Sequence, residues 1–220
     1  IEALDRLEKG TLLSDFNDEW KVIEHNHNNR EDKKLQKKYT RPQDAHLLYN
    51  LMINMPPRHS KSTYATSLFP SYYLARNPTR FSMTASYNSQ LATDFGRQQR
   101  LYLQHEETEM VFPDFALAKD SRAQDVFRTT EGGAAFNIGM GATTSGRPAT
   151  LLSIDDPIKS RKEADSATQR QKAWDYYTSA LTTRLQPEVN GEHPIQIVCY
   201  TRWHPDDLGS RIMQTEDWAE

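Results

Sequence analysis

Leu51-Met52-Ile53-Asn54-Met55-Pro56-Pro57-Arg58-His59-Ser60-Lys61-Ser62-Thr63 is the stretch on which the reading of this chain turns. An apolar run stops at two prolines, and Lys-Ser-Thr then opens a stretch of helical character. That is the layout of a phosphate-binding loop. Backbone N–H groups at a helix N-terminus point at phosphate oxygens, and the helix dipole adds positive potential. In such a loop Lys61 reaches the β- and γ-phosphates of a nucleotide and the Ser62 hydroxyl holds Mg²⁺. Pro57, Arg58, His59, Ser60 and Thr63 complete the candidate ATP-binding set. The match to G-x-x-x-x-G-K-[ST] is imperfect, because Met55 and Ser60 stand where the two glycines belong, and a left-handed backbone at Ser60 would cost something because Ser carries a Cβ. A strand-turn-helix corner with an exposed lysine is the plainer alternative.

Thr150-Leu151-Leu152-Ser153-Ile154-Asp155-Asp156-Pro157 is the second deciding segment. An apolar strand ends there in two carboxylates. Phosphoryl-transfer ATPases need one acid near the metal and another to orient the attacking water. Asp155, at the strand tip, suits the metal role beside Ser62, and Asp156 suits the water. A turn is the alternative, since Asp and Pro both favour turns. Glu163 and Asp165 are fallback acids, with helix N-terminal turns as their ordinary use.

The surrounding pattern gives the fold class. A buried strand is expected over 47–55 and further strands over 80–86, 150–155 and 195–200, with helices over 61–76, 90–105, 164–185 and 206–213. Segments 125–130 and 134–138 flank Glu131-Gly132-Gly133 as a hairpin. The stretch 112–120 reads as irregular. Gly139, Gly141 and Gly146 give the next loop conformational freedom. Strands alternating with helices imply an α/β fold with a mostly parallel central sheet covered on both faces. Ligands in such sheets bind at the carboxyl ends of the strands, where both deciding segments end.

Composition narrows the classes. The chain has 220 residues, room for one large domain or two small ones. Charged residues make up 26%, and no run approaches the roughly 20 apolar residues of a membrane-spanning helix. The net charge of −3 excludes a uniformly basic nucleic-acid binder, so any DNA contact must use a local patch. Lys159, Arg161 and Lys162 form one short basic stretch, suited to DNA, to a neighbouring subunit, or simply to solvent. The single cysteine, Cys199, cannot close an internal disulfide, which fits a reducing compartment. The chain begins at Ile1 without Met and stops at Glu220, and reads as an excised piece of a longer protein.

Five segments occur in one order: Pro56-Pro57-Arg58-His59-Ser60-Lys61-Ser62, Ala85-Ser86-Tyr87-Asn88, Ser145-Gly146-Arg147, Ile154-Asp155-Asp156-Pro157-Ile158-Lys159 and Thr201-Arg202-Trp203-His204. Together they resemble the ATPase half of the large terminase subunit of tailed bacteriophages. The resemblance spans about 47–212. It implies a P-loop NTPase fold of the ASCE type and a single ATPase domain over 1–220, with 1–40 as a lead segment. The C-terminal nuclease domain of such subunits has no room here.

The activity implied is hydrolysis of Mg-ATP to drive viral double-stranded DNA into a procapsid in the host cell cytoplasm. The implied partners are that DNA, a portal protein, a small terminase subunit and further copies of this chain in a ring. The resemblance also assigns roles. Arg58 senses or touches the γ-phosphate, Arg147 acts on the neighbouring subunit's ATP, and Thr201 belongs to a motif coupling hydrolysis to motion. Arg58 paired with a carboxylate and Arg147 as a surface side chain are the bland alternatives. Trp203 serves equally as core packing, and His59 as a structural residue. Tyr39, Arg41 and Gln43 are the candidates for the adenine pocket. Two other functional classes stay open, a helicase or translocase outside packaging and a nucleotide-binding module without turnover.

Overall fold

The computed structural model describes residues 49–119, 123–187 and 193–215, nearly all within the compact unit Asn50–Glu220. The lead segment and Tyr39, Arg41 and Gln43 lie outside the described residues. Among the described residues six strands form one sheet: β1 (Asn50–Asn54), β2 (Phe81–Ser86), β3 (Val126–Arg128), β4 (Ala134–Gly139), β5 (Leu151–Asp155) and β6 (Ile195–Tyr200). Their spatial order is β1-β6-β5-β2-β4-β3. Every pairing is parallel except β3 with β4, the expected hairpin.

Helices cover both faces. On one side lie a π-helical segment (Thr63–Leu68), α1 (Phe69–Arg76) and α2 (Ser89–Leu103). On the other lie α5 (Ala167–Tyr176), its irregular continuation through Arg184, and α6 (Leu208–Thr215). Two short helices, α3 (Glu106–Val111) and α4 (Arg161–Ala164), sit in the connections. The fold is therefore the α/β class read from the sequence, with a mostly parallel sheet between helical layers.

The two faces of the sheet differ in chemistry. Met83, Phe136, Leu152, Ile154 and Val198 meet Tyr177, Leu181, Leu208 and Ile212 in the main apolar core. Full burial of each large side chain there contributes about 1.5–3 kcal/mol. The opposite face presents Ser82, Thr84, Ser86, Asn137 and Ser153, all buried. Small side chains let the first helix come close. Ser153 Oγ donates to the Ala65 carbonyl at 3.0 Å, and Gln99 Nε2 donates to the Thr66 carbonyl at 2.7 Å. These side chains satisfy carbonyls of the π-helical segment, where the sequence led us to expect an unbroken α-helix over 61–76.

Three other expectations need correction. The strand over 47–55 was expected to be buried, but β1 is an edge strand with only Met52 buried. The helix over 164–185 is broken, because Ser166 caps a fresh start by accepting from Gln169 N–H, and the run ends in π and 3₁₀ turns. Gly139 is needed for contact rather than flexibility, since a Cβ there would lie 2.5 Å from the Ser89 backbone nitrogen. Gly141 and Gly146, at φ 89° and 71°, do use left-handed backbone.

Candidate active site

Three neighbouring parallel strands, β1, β6 and β5, deliver the site residues from their carboxyl ends. Beyond β1 the chain bends sharply through Pro56–Ser60, with Arg58 at φ 66° and Ser60 at φ 59°. The sequence placed backbone strain at Ser60, where the consensus has Gly. Left-handed backbone at a residue with a Cβ costs about 1 kcal/mol or more. Such strain persists where the surroundings hold it, and it gathers at ligand clamps. His59 Nδ1 hydrogen-bonds the Pro57 carbonyl at 2.9 Å and braces the bend, in line with its structural reading. Pro57, Arg58, His59, Ser60 and Thr63 are exposed, and Arg58 pairs with no carboxylate among the described residues.

Lys61 opens the helix and is only 8% exposed. Its Nζ donates to Asp156 Oδ2 at 3.0 Å, across 95 residues of sequence. Ser62 Oγ donates to Asp155 Oδ1 at 2.9 Å. The Thr201 backbone N–H, just past β6, donates to the other Asp156 oxygen at 2.9 Å. The Asp156 N–H in turn donates to the Cys199 carbonyl at 2.9 Å, and Asp156 adopts φ 40°. Lys61, Ser62, Asp155, Asp156 and the Thr201 backbone thus form one connected cluster.

Asp155 is 1% exposed. Burial first, then the Asp156 charge, push its carboxyl up to about 6 from 3.8, against the opposing pull of Ser62, Lys61 and Cys199. Cys199 faces Asp155 in the β5–β6 register and hydrogen-bonds it through the thiol. Burial and the Asp155 charge drive that thiol well above its usual range, so it stays protonated. From its place in the apolar run 195–200, burial alone is what the sequence implies for Cys199. The β5–β6 register could have revealed the contact, because Asp155 on β5 lies opposite Cys199 and residues opposite each other on parallel strands share a face.

The donor set suits Mg²⁺. A hydroxyl and a carboxylate are hard oxygen ligands, and Mg²⁺ takes one or two carboxylates with substrate phosphates and water rather than a full protein cage. No group of three or more His, Cys, Asp or Glu poised for a metal occurs among the described residues.

The remaining residues lie apart from this cluster. The Arg147 guanidinium sits 5.9 Å from the centre of the Phe136 ring and close to Tyr176. Within one chain it does not join Lys61. Glu163 sits in the first turn of α4, where its N–H donates to the Ser160 hydroxyl that caps the helix and its carboxylate accepts from Lys159 N–H. Lys159 lies 6.0 Å over the Tyr87 ring, beside a cleft of about 210 Å³ lined in part by Tyr87, Met140, Pro157, Lys172 and Tyr176. That cleft reaches the segment just after β5 through Pro157 and Ile158, and Lys61 does not line it. Arg202 donates to Ser210 Oγ at 2.6 Å, and His204 Nδ1 accepts from Asp206 N–H at 3.0 Å, so the segment after Thr201 is tied to α6. Trp203 stays 36% exposed, which argues against plain core packing.

No protein-family model matches this sequence, and no curated protein matches it. Among solved structures the chain is similar to the crystal structure of the HK97 bacteriophage large terminase, at 13% identity and a TM-score of 0.49. The similarity covers 86% of this chain and 38% of that one. The placement of each residue rests on the geometry above, not on that likeness. No helix among the described residues is long and apolar enough to cross a membrane.

Proposed function

We propose that this chain is the ATPase motor domain of a terminase-like large subunit, hydrolysing Mg-ATP to drive double-stranded viral DNA into a procapsid. The observation that carries the reading is the convergence of Lys61 and Ser62 with Asp155 and Asp156 at 3.0 and 2.9 Å. Two segments about 95 residues apart, each ambiguous alone, meet at the carboxyl edge of the sheet.

In this reading the strained bend and the first N–H groups of the helix cradle the triphosphate, and Lys61 binds its β/γ oxygens. Ser62 and Asp155 hold Mg²⁺, which supplies charge neutralisation on the phosphates. Asp156 orients water for in-line attack on the γ-phosphorus and accepts its proton. Its short side chain carries the left-handed backbone that brings it to the Lys61 corner. Arg147, set over the Phe136 ring rather than bonded to this cluster, completes a neighbouring subunit's site, which makes a ring the active form. An arginine supplied this way accelerates hydrolysis by roughly 10³–10⁵. The partners are double-stranded DNA, a portal protein and a small terminase subunit, in the host cell cytoplasm.

The test is phosphate release by wild type, Lys61→Ala and Asp156→Asn. Wild type should turn over, Lys61→Ala should lose binding, and Asp156→Asn should bind and lose at least a hundredfold in turnover. Equal turnover in all three would remove the assignment.

A further inference from the structure

Asp156 is asked to orient water, yet both of its oxygens are already engaged, one by Lys61 Nζ at 3.0 Å and one by Thr201 N–H at 2.9 Å. The residue sits at φ 40°, and its own N–H is fixed to the Cys199 carbonyl, so the turn cannot drift freely. Lys61 is nearly buried, while the Asp156 side chain is 30% exposed. The lysine therefore has one strong partner, and that partner is anionic. A phosphate entering the bend competes with Asp156 for the same ammonium.

From this geometry we infer that Asp156 is a latch: it holds Lys61 until a nucleotide phosphate takes the lysine, and its release is felt at once by the Thr201 backbone. The inference rests on the reading of the Lys61 corner as a nucleotide site. The consequence runs further than affinity. Thr201 leads directly into Arg202 and His204, which are bonded to Ser210 and Asp206. The Asp206 carboxylate also accepts from Arg170 on α5 and Arg211 on α6, at 3.1 and 2.7 Å. A carboxylate freed at Asp156 thus sits one bond from a segment clamped to α5 and α6. Nucleotide binding is coupled through one side chain to the start of α6. A latch also keeps the water-orienting carboxylate occupied until substrate has taken its lysine, which delays catalytic geometry until the phosphate is in place.

Simple charge repulsion between Asp156 and phosphate makes a different prediction, and a double-mutant cycle separates the two. The Kd of a fluorescent ADP analogue would be measured for wild type, Lys61→Met, Asp156→Asn and the double variant. Met keeps the buried stem of Lys61, and Asn is isosteric with Asp. The latch predicts tighter binding by Asp156→Asn. It also predicts that removing Lys61 weakens binding about fivefold more in the Asp156→Asn background than in wild type, because there the lysine gives up no partner. Repulsion alone predicts the same loss in both backgrounds.

Amide NMR gives a second readout that needs no ligand. Lys61→Met should shift the Thr201 N–H resonance, whereas a purely structural Asp156–Thr201 bond would leave it in place. Additive binding energies with an unmoved Thr201 amide would overturn the latch while leaving the nucleotide site standing. Wild type that binds no nucleotide would overturn both.

Discussion

Replacing Asp155 with Asn should stabilise the fold, and the size of the gain should depend on pH. Asp155 is 1% exposed, and its carboxyl is pushed up to about 6 from 3.8, mainly by burial. A carboxyl raised in the folded state contributes its full stability below the unfolded value. That stability is lost as pH rises through the folded value. The separation of about two pH units, at about 1.4 kcal/mol each, makes the ionised carboxylate cost about 3 kcal/mol at pH 8. Asn keeps an acceptor for the Ser62 hydroxyl but carries no charge to bury. Asp155→Asn should therefore be more stable than wild type by up to about 3 kcal/mol at pH 8, and that advantage should shrink by about 2 kcal/mol at pH 4.5.

Titrating groups away from Asp155 are common to both proteins and cancel, so the difference reports Asp155 together with the groups coupled to it. The assay is urea unfolding with chelator at both pH values. For a unit of this size each kcal/mol moves Tm by about 2–4 °C, so thermal melts give an independent check. A variant less stable than wild type at pH 8, or a difference flat between the two pH values, would refute the reasoning. The same carboxylate that destabilises the fold is the one proposed to hold a divalent cation, a common trade between stability and activity.

Further outcomes follow from the same geometry. Ser60→Gly should stabilise by up to about 1 kcal/mol in chemical unfolding, because the φ of 59° no longer opposes a Cβ. Gly139→Ala should destabilise by at least about 2 kcal/mol in the same assay, since its Cβ would meet the Ser89 backbone at 2.5 Å. Specific ATPase activity should rise with protein concentration in wild type. Arg147→Ala should lower it at least a hundredfold while leaving nucleotide affinity within about twofold. A high activity independent of concentration would count against a finger in trans.

The strands were legible because buried parallel strands read as continuous apolar runs. Leu151–Asp155 and Ile195–Tyr200 are buried throughout. Their ends were also marked, by Asp-Asp-Pro and by Thr-Arg-Trp-His. The helices were legible in place but not in kind. Nothing local in Thr63–Leu68 announces a π-helix, since it depends on Ser153 and Gln99 reaching its carbonyls from elsewhere. The short helix Glu106–Val111 has no buried residue, so it left no apolar period to find. Lys61, Ser62, Asp155 and Asp156 were each legible from motif position. The meeting of Ser62 with Asp155 was read from the same motifs, but the direct Lys61–Asp156 pair was not, because contact across 95 residues depends on strand order, and β6 lies between β1 and β5. The strain anticipated at Ser60 is present, but Arg58 and Asp156 share it, and neither is a position where the motif demands glycine.

The most direct measurement is a crystal structure with Mg²⁺ and a non-hydrolysable ATP analogue. The account predicts the triphosphate in the bend at 56–62, with Lys61 Nζ on its β/γ oxygens and moved off Asp156, and Mg²⁺ between Ser62 and Asp155. An analogue seated elsewhere, or a Lys61–Asp156 pair still closed at 3.0 Å beside a bound triphosphate, would contradict it.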